Sequence, residues 1–203
     1  MNYLTAERSF REYPVLSVKD ITKRFPEFDS RRLVEWQQKE YIVKIRRGFY
    51  CFTDRQKDEH FLYYTANKIY APSYVTLESA LAFYNLIPEG VFMTTSVTTR
   101  NTARYRTPVG YFEYSHIKPS LFFGYRLVQT NDLTYKIASP EKAILDFFYA
   151  RKHATESSIE EIRFNEWAIK DLIDFDLLEK FLLIFDSKIL YKRIGIFKSV
   201  INA

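Results

Sequence analysis

The sequence predicts an α+β protein in which a small helical unit with a β-hairpin precedes a larger mixed domain. Short helical patterns and one alternating segment with a turn occupy the first 54 residues. β-branched and aromatic runs, separated by turn residues, fill much of the stretch from 91 to 137. Helical periodicity returns after residue 139. These three observations indicate helices and a sheet in both parts of the chain.

Two short helices are expected near the start of the chain. Apolar residues from Leu4 to Tyr13 predict the first helix, which ends before Pro14 because proline disfavours helical backbone at the preceding residue. Ser17 and Asp20 form a capping box in which aspartate takes the usual place of glutamate. A second helix is therefore predicted from this pair to a stop at Pro26.

A third helix is predicted to begin at Asp29 or Ser30, either of which can cap its first turn. Leu33 and Trp36, three residues apart, share its apolar face. The other side is rich in groups that hydrogen-bond base edges or phosphates: Arg31, Arg32, Glu35, Gln38 and Lys39. The helix thus has an apolar back and a polar front, although its acidic and basic charges balance.

A basic hairpin is predicted after the third helix, where the apolar period changes to two residues. Arg47-Gly48 supplies a two-residue turn, because glycine tolerates the positive φ that such turns need. This turn pairs Ile45 with Tyr50 and Val43 with Phe52 on the buried side. Three uncompensated cations occupy the opposite side and the tip: Lys44, Arg46 and Arg47.

Three helices and a hairpin within about 55 residues is the order of a winged helix-turn-helix, in which a helix enters the major groove of DNA and the hairpin contacts phosphate or the minor groove. Basic charge is concentrated here, since residues 1–55 carry 12 Lys or Arg against 8 Asp or Glu. The candidate DNA-contacting residues are Arg31, Arg32, Gln38, Lys44, Arg46 and Arg47. A solvated helix with an ordinary basic turn is the alternative interpretation.

The polar segment from Thr53 to Glu59 contains neither proline nor glycine and predicts a short, stiff joint between two domains. We expect a winged helix-turn-helix domain at residues 1–54. An α+β domain follows at residues 55–203, and its last part, residues 156–203, is predicted to be helical.

The second domain is predicted to combine helices with a small antiparallel sheet. Apolar spacing indicates helices over His60–Tyr70 and Leu77–Tyr84, the latter capped by Thr76. Strands are predicted at residues 91–97, 109–114, 121–128 and 134–137. Ser139-Pro140-Glu141 then opens a helix, with serine as the cap and proline in the first turn, where its missing amide costs nothing.

The sequence offers little for catalysis. Its histidines are isolated, its glycines make no phosphate-cradling loop, and no zinc spacing occurs. The histidines are His60, His116 and His153. An acidic cluster lacks the glycine and terminal glutamate of a calcium loop and is interpreted as helix caps and surface residues: Asp171, Asp174 and Asp176. We expect no enzymatic activity, catalytic residue, metal or cofactor.

A second basic patch is predicted in a loop from Thr98 to Thr107. It contains Arg100, Arg104 and Arg106, and Tyr105 could stack on a base. RNA, an acidic protein surface and flanking DNA are alternative partners for this loop, and a solvated loop without a partner is another interpretation.

Composition suggests a cytoplasmic protein without membrane contact. Hydrophobic residues make up 47% of the 203 residues, ample for a packed core. Cys51 is the only cysteine, so no intrachain disulfide can form, as is usual in a reducing compartment. The first residues lack the apolar stretch of a signal peptide, and the longest purely apolar run, Phe181–Phe185, is too short to cross a bilayer.

Three motifs occur in order along the chain: RRGFY from Arg46 to Tyr50, SYVTLESAL from Ser73 to Leu81, and ASPEKAILD from Ala138 to Asp146. In order and spacing they resemble the AbiEi antitoxins of type IV toxin-antitoxin systems, also called abortive infection systems, which act in phage defence. The resemblance extends from the N-terminal helices to about Tyr149. Lys142 and Asp146 of the third motif, four residues apart, are expected to pair on a helix surface.

The resemblance implies that the N-terminal domain regulates transcription by binding inverted repeats in double-stranded DNA, and so represses its own operon. It also implies that the remainder counteracts a cognate nucleotidyltransferase toxin. Five residues are expected to mark only the fold of the second domain: Ser79, Ala80, Pro140, Glu141 and Lys142. The alternatives are a winged-helix protein-interaction module and a solitary transcriptional regulator without a toxin partner.

Overall fold

The computed structural model describes residues 1–88, 90, 92–130, 133–151 and 155–201. Within these ranges the chain is α+β, with ten α-helices and two β-sheets. Val91, His153 and the last two residues of the predicted C-terminal helical region lie outside the described residues. The α+β class expected from the sequence is confirmed.

The N-terminal part contains three helices and a three-stranded antiparallel sheet with strand order β1-β3-β2. The elements are α1 (Tyr3–Phe10), β1 (Leu16–Ser17), α2 (Val18–Arg24), α3 (Arg31–Gln38), β2 (Ile42–Arg46) and β3 (Phe49–Phe52). The predicted capping box is confirmed, because Ser17 and Asp20 each accept a hydrogen bond from the other's backbone amide. Asp29 supplies the polar cap of α3 by accepting from the amide of Arg31 at 2.9 Å.

The register predicted for the hairpin is wrong beyond its first pair. Arg46 lies opposite Phe49 as expected, but a β-bulge follows and Lys44, instead of Ile45, lies opposite Tyr50. The extra residue lets the two isoleucines of β2 point into different cores. Ile42 packs with the N-terminal helices, and Ile45 packs into the core of the second domain. The hairpin therefore belongs to both parts of the molecule.

The N-terminal part has its own small core beneath α3. Leu33 and Trp36 are buried there, as the spacing predicted. Phe10 of α1, Ile21 of α2 and Tyr50 of β3 complete the centre of this cluster. Because every element of the unit contributes to it, the exposed face of α3 is held on a packed support.

The second domain begins with α4 and contains six strands and seven helices in the ranges that the structure describes. The helices are α4 (Glu59–Ile69), α5 (Glu78–Phe83), α6 (Pro140–Ala150), α7 (Glu156–Glu160), α8 (Glu166–Leu172), α9 (Phe175–Phe185) and α10 (Lys188–Val200). The strands are β4 (Ser73–Val75), β5 (Met93–Thr98), β6 (Ala103–Thr107), β7 (Gly110–His116), β8 (Tyr125–Thr130) and β9 (Leu133–Ala138).

These strands form one mixed sheet in the order β6-β7-β5-β4-β9-β8, and not the small antiparallel sheet that the sequence suggested. β5 runs parallel to β7, and β4 runs parallel to β9. The strand propensities identified four of the six strands but not β4 and β6. The strand β6 changes how the sheet is connected. It follows β5 in the chain and runs antiparallel to β7, which allows β7 to run parallel to β5. Local propensity carries no information on such pairing.

Helices cover both faces of this sheet. Tyr114 of β7 and Ser73 of β4 donate hydrogen bonds to the carbonyl of Ala66 in α4 on one face. Tyr74 and Thr76 donate to Asp146 of α6 on the other face. α9 and α10 pack against α6, and α7 packs against α10. No helix in the described part of the chain combines the length and the apolar character needed to span a membrane.

A buried ion pair joins α6 to the sheet. Ser139 caps α6 and Pro140 occupies its first turn, as predicted. Lys142 and Asp146 do pair four residues apart, but their side chains are fully buried, so the expected surface position is wrong. They are buried because the face of α6 that carries them lies against β4, where Tyr74 provides a hydrogen-bond partner for both.

The ion pair is enclosed by aromatic rings and neutral donors. The Lys142 ammonium lies 4.8 Å from the ring centre of Phe185 and 5.1 Å from that of Phe123. Burial lowers the pKa of Lys142 and raises the pKa of Asp146. Asp146 also accepts from Tyr74 at 2.8 Å and from Thr76 at 3.0 Å, which favours its ionised form. Thr76 is thus committed to this network and does not cap α5.

We predict that Lys142→Met destabilises the protein by about 3 to 5 kcal/mol, because it leaves a carboxylate buried without its cation. Adding Asp146→Asn recovers a large part of this loss, since asparagine can still accept from Tyr74 and Thr76 without a charge. Urea denaturation followed by circular dichroism measures both changes. A double variant less stable than Lys142→Met would contradict this account of the network.

Candidate nucleic-acid interface

The outer face of α3 exposes three of the residues predicted to contact DNA, namely Arg31, Arg32 and Gln38. Arg31 pairs with Asp29 at 2.8 Å, and Arg32 pairs with Glu35 at 3.1 Å. These partners are exposed, and exposed ion pairs contribute little to stability. The arginines can therefore exchange these carboxylates for phosphate or base groups at small cost.

Glu35 occupies the centre of this face. Hydrogen bonds from Lys39 and Arg32 lower the pKa of Glu35, so it is a carboxylate at neutral pH. An ionised carboxylate in the middle of the face repels phosphate but can accept a hydrogen bond from the amino group of cytosine. This arrangement favours base contacts over backbone contacts for the middle of α3.

A groove of about 480 Å³ separates the start of α1 from α3. Tyr3 and Tyr41 line it, with ring centres 4.3 Å apart and ring planes tilted by 31°. Arg32 and Lys39 line the same groove from α3. Planar aromatic surface and positive charge thus lie side by side next to the exposed face of the helix.

Two of the three hairpin cations are exposed to solvent, and the third packs against the second domain. Lys44 and Arg47 are exposed. Arg46 is partly buried, with its guanidinium 4.3 Å from the ring centre of Tyr105 and 5.8 Å from that of Tyr70. It also donates to the carbonyl of Ile69 at 2.8 Å. Arg46 therefore holds the hairpin against the second domain, whereas Lys44 and Arg47 are the hairpin cations that lie fully exposed.

Two further contacts accompany Arg46 at this joint. Lys68 of α4 lies 3.4 Å from the carboxylate of Asp20, the capping-box residue of α2. Ile45 and Cys51 of the hairpin are buried in the core of the second domain. Charge, hydrogen bonding and apolar packing thus all connect the N-terminal unit to the rest of the chain.

The three arginines of the second basic patch do not form one surface: Arg104 and Arg106 share one face of β6, and Arg100 precedes that strand. The predicted loop is largely β6, in which alternate residues point to opposite sides. Arg104 bonds to Glu113 at 2.9 Å, and Arg106 bonds to the hydroxyl of Tyr111 at 3.1 Å. Glu113 also accepts from Arg151 at 3.1 Å, so Arg104 belongs to an ion network on that face.

Arg100 lies on the opposite side, next to the hairpin. Its guanidinium is 4.6 Å from the ring centre of Tyr70, the same ring that Arg46 approaches. The structure therefore brings Arg46 and Arg100 together, although 53 intervening residues separate them in the sequence. Tyr70 was missed by sequence reasoning, because an isolated tyrosine at the end of a helix carries no signal of this contact.

No protein-family model matches the chain, and no curated protein matches it. In the ranges that the structure describes, no three His, Cys, Asp or Glu side chains are grouped so as to hold a metal ion. The acidic residue Asp174 caps α9 by accepting from the amide of Leu177 at 3.0 Å, as predicted from the sequence.

We predict that Arg46→Ala destabilises the protein by about 1 to 3 kcal/mol, because it removes contacts with three aromatic rings and a part-buried hydrogen bond. Arg47→Ala is the matched control: the neighbouring arginine is exposed, and its loss should change stability by less than about 0.5 kcal/mol. Thermal and urea denaturation measure both variants. Equal effects of the two substitutions would contradict the role assigned to Arg46.

Proposed function

We propose that this chain is a non-catalytic, cytoplasmic antitoxin that binds DNA and represses transcription of its own toxin-antitoxin operon. In this proposal residues 1–54 are a winged helix-turn-helix, α3 is the recognition helix and the β2-β3 hairpin is the wing. The observation that carries the proposal is the exposed polar face of α3, held on a packed core beside an exposed basic hairpin.

The proposed division of labour follows from the charges. Lys44 and Arg47 are exposed on the hairpin, so they suit phosphate contacts that are independent of sequence. Arg32 and Gln38 lie on the same helix as Glu35, and their side chains suit hydrogen bonds to the edges of bases. Arg46 supports the wing by positioning it against Tyr105.

The second half of the proposal is that the remaining chain counteracts a nucleotidyltransferase toxin. It is supported by the resemblance of the three sequence motifs to the AbiEi antitoxins. The third motif lies in the buried face of α6, where Lys142 and Asp146 hold the helix on the sheet. These residues therefore preserve the fold, and a partner would contact other parts of the domain.

Exposed apolar side chains on the C-terminal helices favour a protein partner for this domain. Trp167 is 77% exposed, Leu183 66%, Ile184 51% and Ile189 65%. Contiguous apolar surface is characteristic of protein interaction sites, and Leu183, Ile184 and Ile189 lie within seven residues of one another where α9 ends and α10 begins. The same observation supports the alternative function, a protein-interaction module, if DNA binding fails.

We predict that the full-length protein binds its own promoter region with an affinity that falls steeply with salt, because hairpin cations displace condensed counterions. Lys44→Ala with Arg47→Ala should weaken specific and scrambled duplexes alike and reduce the slope of log K against log salt by about two. Arg32→Ala should weaken the specific duplex more than the scrambled one. Fluorescence anisotropy measures all three.

Lys188→Ala is the control for this titration, since Lys188 is an exposed cation on α10 that should leave binding unchanged. Failure of the wild-type protein to prefer its own promoter over scrambled DNA at low salt would refute the repressor assignment. Equal loss of preference in the helix and hairpin variants would refute the division of labour.

We also predict that co-expression of this protein relieves growth arrest caused by the nucleotidyltransferase encoded beside it. Leu183→Asp with Ile189→Asp should abolish this relief, because carboxylates oppose burial of the surface, and should leave promoter binding intact. Growth curves and the same anisotropy assay separate the two effects. If the wild-type chain gives no relief, the antitoxin assignment fails; full relief by the double variant excludes contact through these two residues.

A further inference from the structure

The six-stranded sheet is open between β4 and β9. These strands share one register pair, Val75 with Ile137, although β9 begins four residues earlier, at Leu133. Asn67 of α4 reaches into the opening, where its Oδ1 accepts from the amide of Lys136 at 2.6 Å. A groove of about 280 Å³ lies at this opening.

The edge of β9 presents main-chain polar groups to the groove. Because the amide of Lys136 points to Asn67, Lys136 and Leu127 of β8 face each other without exchanging hydrogen bonds. Hydrogen-bonded and non-hydrogen-bonded pairs alternate along this ladder, so the main chain of Thr134, two residues before Lys136, has the same orientation as that of Lys136. The amide and carbonyl of Thr134 therefore point toward the opening, where β4 does not extend to meet them. A ligand with a donor beside an acceptor would complement this pair.

The same groove is lined by Asn67, whose amide nitrogen has no partner in the described part of the chain, and by a lysine. The Lys136 amide is a donor, so the atom that it meets in Asn67 must be the oxygen, which leaves Nδ2 pointing elsewhere. That Nδ2 is buried, and no acceptor among the described residues bonds to it. Lys68 also lines the groove, and its ammonium is 3.4 Å from Asp20.

Size and walls limit the class of ligand. At about 30 Å³ per water molecule, the groove holds roughly the volume of ten waters, which suits one small ring system better than a peptide strand. Tyr64, Pro72 and Leu127 provide apolar walls. Nucleobases are planar and carry a donor and an acceptor side by side on one edge.

We propose that this groove binds a nucleoside monophosphate. The edge of the base pairs with the amide and carbonyl of Thr134, and the phosphate binds the ammonium of Lys68. The phosphate then replaces Asp20 as the partner of Lys68. Asp20 belongs to α2, so occupation of the groove removes one of the contacts that join the N-terminal unit to the second domain.

Isothermal titration of the full-length protein with AMP, GMP, CMP and UMP, in the absence of DNA, tests the proposal independently of the DNA-binding assignment. At least one nucleotide should bind with a dissociation constant below about 1 mM, as expected for a ligand of about twenty heavy atoms. Leu127→Trp should abolish binding by filling the groove. Leu172→Trp is the control, because Leu172 is also an exposed leucine but lies on α8.

The phosphate contact has a separate test. Asp20→Asn removes the competing carboxylate while keeping a polar cap, so it should tighten nucleotide binding about threefold or more and leave nucleoside binding unchanged. The proposal is overturned if no nucleotide binds at 5 mM, or if Leu127→Trp binds as the control does. It is also overturned if inorganic phosphate binds as tightly as the nucleotide, because the base would then contribute nothing.

Discussion

Arg46 fixes the position of the hairpin relative to the second domain through its contacts with Tyr105 and the carbonyl of Ile69. These contacts connect the three-stranded sheet of the hairpin to the six-stranded sheet, and the two sheets are otherwise not joined by hydrogen-bonded strands in the described residues. Lys44 and Arg47 remain accessible on either side of Arg46. Arg46, one of the residues that the sequence predicted to contact DNA, therefore positions the hairpin, and the proposed wing is oriented by the domain behind it.

The two parts of the chain are stabilised in different ways. The N-terminal unit depends on a small apolar cluster in which Leu33 and Trp36 anchor α3. The second domain has a larger core and also a buried ion pair, Lys142 with Asp146, that ties α6 to Tyr74 of the sheet. A buried pair with matched partners specifies one arrangement of helix and sheet, because any other leaves a charge without compensation.

Sequence reasoning succeeded where local chemistry decides the structure. The capping box of Ser17 and the cap of α6 at Ser139 depend on side chains within three residues of the backbone they bind, so spacing alone predicts them. The bulge beside Ile45, the burial of Lys142 and the attachment of Arg46 depend on elements far away in the chain. Thr76 illustrates the limit: it resembles a helix cap by position, yet its hydroxyl is used by Asp146, 70 residues later.

The central claim is that α3, and not the strand that carries Arg104 and Arg106, faces the DNA. Iron-EDTA attached to a cysteine at position 38, or at position 106 as the comparison, measures this directly through the DNA cleavage that each produces on the promoter. Native Cys51 is buried, which protects it from labelling. The account predicts localised cuts within each half of an inverted repeat from Gln38→Cys and only background from Arg106→Cys. Localised cleavage from position 106 with none from position 38 would contradict it.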